Sequence, residues 1–136
     1  MFISAVVPVY NSSNTLEKAI YSLLNQPEIN EIFIIDDGST DGSYELALNL
    51  MIKYDRIQVL AHDNRVNKGA SASRNLGLYH CSNDWIQFLD SDDELLPGKI
   101  YHNLLVLDYS SCFLVGNSIY EKSGNFYRRH YWKKLF

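Results

Sequence analysis

Three carboxylates, Asp90, Asp92 and Asp93, fall within four residues, directly after the apolar and aromatic run Trp85-Ile86-Gln87-Phe88-Leu89. The run reads as a buried strand that stops abruptly. Carboxylates this close repel, and each raises the pKa of its neighbours. A hard divalent cation, Mg²⁺ or Mn²⁺, relieves that repulsion when carboxylate oxygens hold it together with a phosphate-bearing ligand. The plainer alternative is a solvated acidic turn that caps the helix after it. A second acidic pair, Asp36-Asp37, closes the short apolar run at residues 32–35, and Asp41 follows close behind. His62, His80, His102 and His130 show no paired ligand spacing and read as ordinary surface or core histidines. No Ser-His-Asp pattern, GxSxG or GxxxxGK[ST] loop is present, so any phosphate charge must be met by metal, helix terminus and basic side chains.

The elements that would position these groups alternate. Residues 2–9 are rich in Val and Ile and suit a strand, with Pro8 at its end where a missing ladder donor is tolerated. Asn14-Thr15-Leu16-Glu17 resembles a capping box, and Leu16, Ala19, Ile20, Leu23 and Leu24 repeat at helical spacing up to Gln26-Pro27. A strand at 32–35, a turn at 36–42, and a helix carrying Tyr44, Leu46, Ala47, Leu50 and Met51 follow. Residues 57–61 form a third strand, 64–68 a polar loop, 70–79 a third helix and 85–89 a fourth strand. Residues 95–107 read as a helix with Pro97 in its first turn. Residues 112–119 and 125–127 form a late strand pair.

Strands alternating with helices imply βαβ units, a mostly parallel sheet and right-handed crossovers. Ligands of open parallel sheets bind beyond the carboxyl ends of the strands. Tyr10 and Asn11, Asp36 and Asp37, and the residues 90–93 all lie just past strand ends, so they should converge on one crevice.

A chain of 136 residues suits one soluble domain, and no run of eighteen apolar residues is present to span a membrane. Met1-Phe2-Ile3-Ser4 lacks a basic n-region and reads as the start of a strand, not a signal peptide. Cys81 and Cys112 read as reduced thiols, so the expected location is the cytoplasm. Without a secretion signal the sequon Asn11-Ser12-Ser13 is treated as chance. The net charge of −4 hides an asymmetry: residues 1–120 carry 7 Lys/Arg against 15 Asp/Glu, and residues 121–136 carry 5 against 1. The acidic body argues against nucleic acid as a partner. The basic aromatic tail has two readings, contact with an anionic membrane surface or a partner protein, and packing of its aromatics with the charges in water; the second is favoured.

Four motifs in order carry a family resemblance: Pro8-Val9-Tyr10-Asn11; Ile34-Ile35-Asp36-Asp37-Gly38-Ser39-Thr40-Asp41; Asn67-Lys68-Gly69-Ala70-Ser71-Ala72-Ser73-Arg74-Asn75-Leu76-Gly77; and Leu89-Asp90-Ser91-Asp92-Asp93. Together they resemble the N-terminal, nucleotide-sugar-binding half of inverting family 2 glycosyltransferases with the GT-A fold. The resemblance implies an α/β, Rossmann-like, mostly parallel sheet flanked by helices. It implies a nucleotide-diphospho-sugar-binding domain over residues 1–118 and a tail over 119–136. Pro8, Tyr10 and Asn11 would border the nucleotide. Tyr10 would lie against the base and Asp37 would accept a hydrogen bond from it, as a carboxylate suits a uracil or guanine ring N–H; a UDP-sugar is favoured. Asp36 would contribute to the base and ribose pocket. Lys68 and Arg74 would face the ribose or diphosphate. Asn67 and Gly69 would shape the loop entering the third helix, where free N–H groups favour phosphate. Asp92 would touch Mn²⁺ or Mg²⁺ directly, with Asp90 near the ribose or reached through water, Ser91 between them, and Asp93 positioning the sugar or capping a helix.

The implied activity is sugar transfer with inversion to a glycan or lipid-linked acceptor, in polysaccharide synthesis at the inner face of the membrane. The base that deprotonates the acceptor lies further along in the family, and nothing around Glu121 matches it. Donor binding is therefore better supported than turnover. A truncated chain, a shortened reading frame and a non-catalytic nucleotide-sugar-binding module all stay open, as does a homodimer that covers a sheet edge. A receiver-like domain would place its acids after the first and third strands; here they follow the second and fourth.

Overall fold

The computed structural model describes residues 2–101 in full and the backbone of Asn117–Lys122 and Asn125–His130. The chain falls into two compact units, Met1–Pro97 and Gly98–Phe136. In the first unit the order is β1 (Ile3–Val9), α1 (Leu16–Leu24), β2 (Ile29–Asp36), α2 (Ser43–Lys53), β3 (Ile57–Ala61), a 3₁₀ turn (Asp63–Arg65), α3 (Ala70–His80) and β4 (Trp85–Phe88). In the second, β5 (Asn117–Lys122) pairs antiparallel with β6 (Asn125–His130), Tyr120 opposite Tyr127. The late strand pair is thus present and longer in its second member than the sequence suggests; residues 112–116 lie outside the described residues.

The four strands of the first unit form one parallel sheet in the order β3-β2-β1-β4. Every residue of β1 is buried, as a central parallel strand requires. The crossovers β1-α1-β2 and β2-α2-β3 step one way across the sheet, and β3-α3-β4 steps back past both. Right-handed connections therefore put α1 and α2 on one face and α3 on the other. On the α3 side Val6, Phe33 and Ile35 form a core cluster, with Leu60, Leu76, Cys81 and Ile86 packed against it. Cys81 is a free thiol, pushed up in pKa by burial, whose Sγ donates to Gly77 O at 3.3 Å.

Two local expectations fail. The capping box is absent: Thr15 is the N-cap of α1 with no side-chain cap bond, and Glu17 instead accepts from the Tyr21 hydroxyl at 3.0 Å. The N-cap falls one residue after Asn14, where the box would put it, so Glu17 is only two residues on and cannot close the pattern. The helix expected from residue 95 begins only at residue 99. The Leu95 N–H donates to Ser22 Oγ (2.9 Å), and Gln26 Nε2 donates to Leu96 O (3.0 Å), so α1 claims this backbone before it can coil.

Gly77 lets α3 sit directly on β1. A Cβ there would lie inside van der Waals contact of Val6 Cγ1, with Val6 Cγ2 at 3.1 Å and Ile35 Cδ1 at 3.3 Å. Alanine gains about 1 kcal/mol of helix propensity over glycine, but overpacking costs about 1–3 kcal/mol. Gly77→Ala should therefore lower the stability measured by denaturant unfolding. At the opposite end of the sheet burial pushes the Glu31 carboxyl up, but donors from the Ser4 hydroxyl and from the Ser82 amide and hydroxyl outweigh it and hold it below its usual 4.5. A depressed carboxyl stabilises the fold above its unfolded pKa and loses that contribution as pH falls through the folded value. Acidification below about pH 4.5 should thus cost the unmodified chain more stability than Glu31→Gln; parallel pH–Tm curves would refute this.

Candidate functional site

A parallel sheet whose order reverses between β1 and β4 opens a crevice at their carboxyl ends. A cavity of about 680 Å³ lies there, in the size range of small-ligand sites. Its lining comes from three loops. Pro8 and Val9 end β1, and Tyr10, Asn11, Ser12, Asn14 and Thr15 follow it; Asn67, Gly69, Ala70 and Arg74 lead into α3 or stand in it; Asp90, Ser91 and Asp92 follow β4. Asp37, just past β2, completes it.

The two acids at the end of β2 behave differently because strand side chains alternate sides. Asp36 is fully buried and does not line the cavity. Its carboxylate accepts from the Ser39 amide at 3.2 and 3.3 Å and meets Arg65 Nη2 at 3.4 Å. Arg65 also donates to Ser39 O at 3.0 Å and lies over the Tyr44 ring at 4.1 Å. Asp36 therefore fastens the loop instead of facing a ribose. Asp37 is 3% exposed. Its Oδ1 accepts from the Lys68 amide at 2.7 Å and its Oδ2 from the Gly69 amide at 2.8 Å. Those two amides are not free for phosphate, contrary to the expectation for this loop. The Lys68 side chain is exposed and outside the lining. Gly69, at φ 88° and ψ 156°, holds a conformation open only to glycine.

Short polar side chains lock the loops together. Asn11 takes φ 50°, its Oδ1 accepts from Thr40 N at 2.8 Å, and its own N–H donates to Ser39 Oγ at 3.1 Å. Ser12 N–H donates to Ser43 Oγ at 2.8 Å, and the Ser12 and Ser91 hydroxyls share a hydrogen bond of 2.6 Å. Asp41 accepts from Ser43 Oγ at 2.5 Å and from the Ser13 and Ser43 amides at 3.0 Å each. The Ser43 hydroxyl, then the Ser13 amide, holds its carboxyl well below the usual range.

At the acidic end Arg74 Nη2 meets Asp90 Oδ1 at 2.5 Å. Both side chains are partly exposed, so the pair contributes about 0.2–1 kcal/mol and a competing ligand can displace it. Burial first, then the charges of Asp92 and Asp90, pushes the Asp93 carboxyl up. Among the described residues no three His, Cys, Asp or Glu side chains are gathered to hold a metal unaided. Asp90 and Asp92 offer hard oxygen donors beside the cavity. That set fits Mg²⁺ or Mn²⁺ held by one or two carboxylates plus substrate phosphates.

The cavity thus brings together Pro8, Tyr10, Asn11, Asp37, Asn67, Gly69, Arg74, Asp90, Ser91 and Asp92, and leaves out Asp36 and Lys68. Sequence reading missed Arg65, which stands in a loop without motif, and His62, read as ordinary but placed 3.6 Å from Asp37 Oδ1. The serines of Asn11-Ser12-Ser13 had only the discarded sequon to mark them.

A parallel sheet in this order, with flanking helices and an acid-lined crevice at its switch point, is the GT-A architecture of glycosyltransferases. The chain belongs to glycosyltransferase family 2: the family model described as Glycosyl transferase family 2 matches residues 4–136. An uncharacterised glycosyltransferase of Haemophilus influenzae is 40% identical over 128 residues, covering 86% of this chain and 50% of that protein. The GalNAc(5)-diNAcBac-PP-undecaprenol β-1,3-glucosyltransferase of Campylobacter jejuni is 36% identical over 124 residues, covering 90% of this chain and 40% of that one. Staphylococcus aureus TarS 1–349, solved in complex with UDP, superimposes with a TM-score of 0.67 at 26% identity, over 77% of this chain and 31% of that one. The chain spans half or less of the length of these relatives.

Gly38 tests how the walls are held. It has φ +80°, and a Cβ would lie 2.7 Å from Arg65 O and 3.0 Å from Asn67 N, both backbone atoms. Gly38→Ala should destabilise the fold by about 1–3 kcal/mol and push the loop before α3 outward. Hydrogen exchange at the Lys68 and Gly69 amides should accelerate; unchanged protection there would show that Gly38 does not set the loop's position.

Proposed function

We propose that the cavity binds a nucleotide-diphosphate sugar, with a UDP-sugar favoured, as the first step of inverting sugar transfer to a glycan or lipid-linked acceptor at the inner face of the membrane. The observation that carries this reading is the placement of Asp37 and of the Asp90–Asp92 pair around one crevice built from three loops. TarS structures with UDP and with UDP-GlcNAc support the choice of nucleotide. The Campylobacter jejuni relative, whose acceptor by name is undecaprenol-linked, supports the acceptor class. No helix among the described residues is long and apolar enough to cross a membrane.

The chain's own residues divide the work. The Lys68 and Gly69 amides orient the Asp37 carboxylate, one donor on each oxygen, which leaves a lone pair on both for a base N–H. Tyr10 is 53% exposed at the cavity and offers a ring face to the base. Arg74 reaches the phosphates once it leaves Asp90. Asp92 and Asp90 would hold Mn²⁺ or Mg²⁺, which when bound neutralises the departing diphosphate. Because the chain covers half or less of its relatives, binding is the activity to measure first.

Calorimetric titration should show micromolar UDP binding in the presence of Mn²⁺, roughly −8 kcal/mol, and weaker binding with the metal chelated. Asp92→Asn should weaken UDP binding in Mn²⁺ by about 10-fold or more, as loss of a charged contact does, and remove the metal dependence. Equal affinity of Asp92→Asn and the unmodified chain would sink the assignment. Tighter binding of GDP than UDP would reassign the base.

A further inference from the structure

Behind the cavity lies a polar line that this reading does not use. The His62 side chain is 8% exposed, and Ser73 is fully buried. His62 Nε2 lies 3.0 Å from Ser73 Oγ, a hydrogen bond, and 3.6 Å from Asp37 Oδ1, beyond hydrogen-bond reach but close for electrostatics. His62 is the first residue after β3, and Ser73 stands in the first turn of α3. Three polar side chains are thus buried in sequence, where apolar groups of the same shape would avoid the desolvation cost. Ser73 anchors the imidazole edge. The anchored ring edge lies beside Asp37 Oδ1 and so limits how that carboxylate can turn. The Lys68 and Gly69 amides bind the same carboxylate from the loop side.

We infer that His62, anchored by Ser73, is a positioning residue that holds the Asp37 carboxylate in place as an acceptor and so makes the cavity select a base with a ring N–H over one with a ring lone pair. The inference rests on the nucleotide-sugar reading above. Uracil presents N3–H to a carboxylate. Cytosine presents an N3 lone pair, which a carboxylate oxygen held at that edge repels and one turned away from it does not. The ratio of UDP to CDP affinity therefore reports the state of Asp37, whereas a role in packing alone would weaken both nucleotides alike.

The experiment is calorimetry of UDP and CDP in Mn²⁺ on the unmodified chain and on Asp37→Asn, His62→Ala, His62→Gln and Ser73→Ala. The unmodified chain should prefer UDP. Asp37→Asn, whose amide can both donate and accept, should bring the ratio close to one. His62→Ala should lower the ratio by about 10-fold, the scale of one interaction with a charged group. His62→Gln, which returns an N–H near the same place, should restore most of it, and Ser73→Ala should shift it in the same direction as His62→Ala. If His62→Ala does not fold, the glutamine and serine variants decide. An unchanged ratio in the His62 and Ser73 variants, beside a collapsed one in Asp37→Asn, overturns the inference and leaves the nucleotide-sugar reading standing. A ratio that Asp37→Asn does not move overturns both the base contact and the inference, and absence of UDP binding to the unmodified chain overturns the nucleotide-sugar reading with them.

Discussion

An ionised carboxylate can be buried only where enough hydrogen-bond donors surround it, and β2 ends on two buried acids in succession. Asp36 points into the protein and collects the Ser39 amide and Arg65. Asp37, one residue on, turns the other way and collects the amides of Lys68 and Gly69. The first fixes the loop that leads into α2; the second fixes the loop that leads into α3. The need to supply two buried carboxyl groups with protein donors is thus the constraint from which the walls of the crevice follow. Gly38 and Gly69 belong to the same arrangement, since the backbone must come close to the acids in conformations that a side chain would obstruct.

The remaining wall is held by smaller groups. Asn11, Ser12 and Ser13 each bond to the loop before α2 or its first residue, and Ser12 reaches Ser91 across the sheet's switch point. Those of Asn11 and Ser12 join neutral groups and contribute about 0.5–1.5 kcal/mol each, and that of Ser13 goes to the Asp41 carboxylate. Their geometry matters more: they join the segments after β1, β2 and β4 without using the carboxylates at Asp90 and Asp92. The side chains that face the cavity stay available while their backbone is held. Arg74 and Asp90 form the contrasting case, an exposed pair that holds its partners loosely.

Much of this was legible in the residues. Apolar runs interrupted by helical periodicity located all four strands of the parallel sheet and its three helices, because burial on both faces demands continuous Val and Ile and burial on one demands a 3.6-residue period. The convergence of Tyr10, Asp37 and Asp90 followed from parallel strands ending on one edge. What stayed hidden depends on distances that no local pattern encodes. Asp36 and Asp37 stand side by side in one motif, yet only the pleat decides which one faces the cavity. The αL backbone of Asn64 and Arg65 puts the Arg65 guanidinium on Asp36 without any glycine to announce it. Asn14-Thr15-Leu16-Glu17 has the residue types of a capping box, but the N-cap falls on Thr15, one residue too late for Glu17 to close it. The start of the helix after the acidic turn was misplaced because Ser22 and Gln26, far away in sequence, hold residues 95 and 96 extended.

The strand order has a kinetic side as well. β1 and β2 are neighbours in sequence, and so are β2 and β3, but β4 pairs with β1 through Ile3 opposite Trp85. Closing so long a loop carries a greater entropic cost than forming the near pairings, and non-local pairings of this kind form slowly. A chain emerging from the ribosome holds three strands and three helices before its fourth strand exists. The acidic turn travels with that last strand. The crevice is therefore completed at the end of assembly, and a nascent chain holds its carboxylates apart from the surface that gives them a ligand.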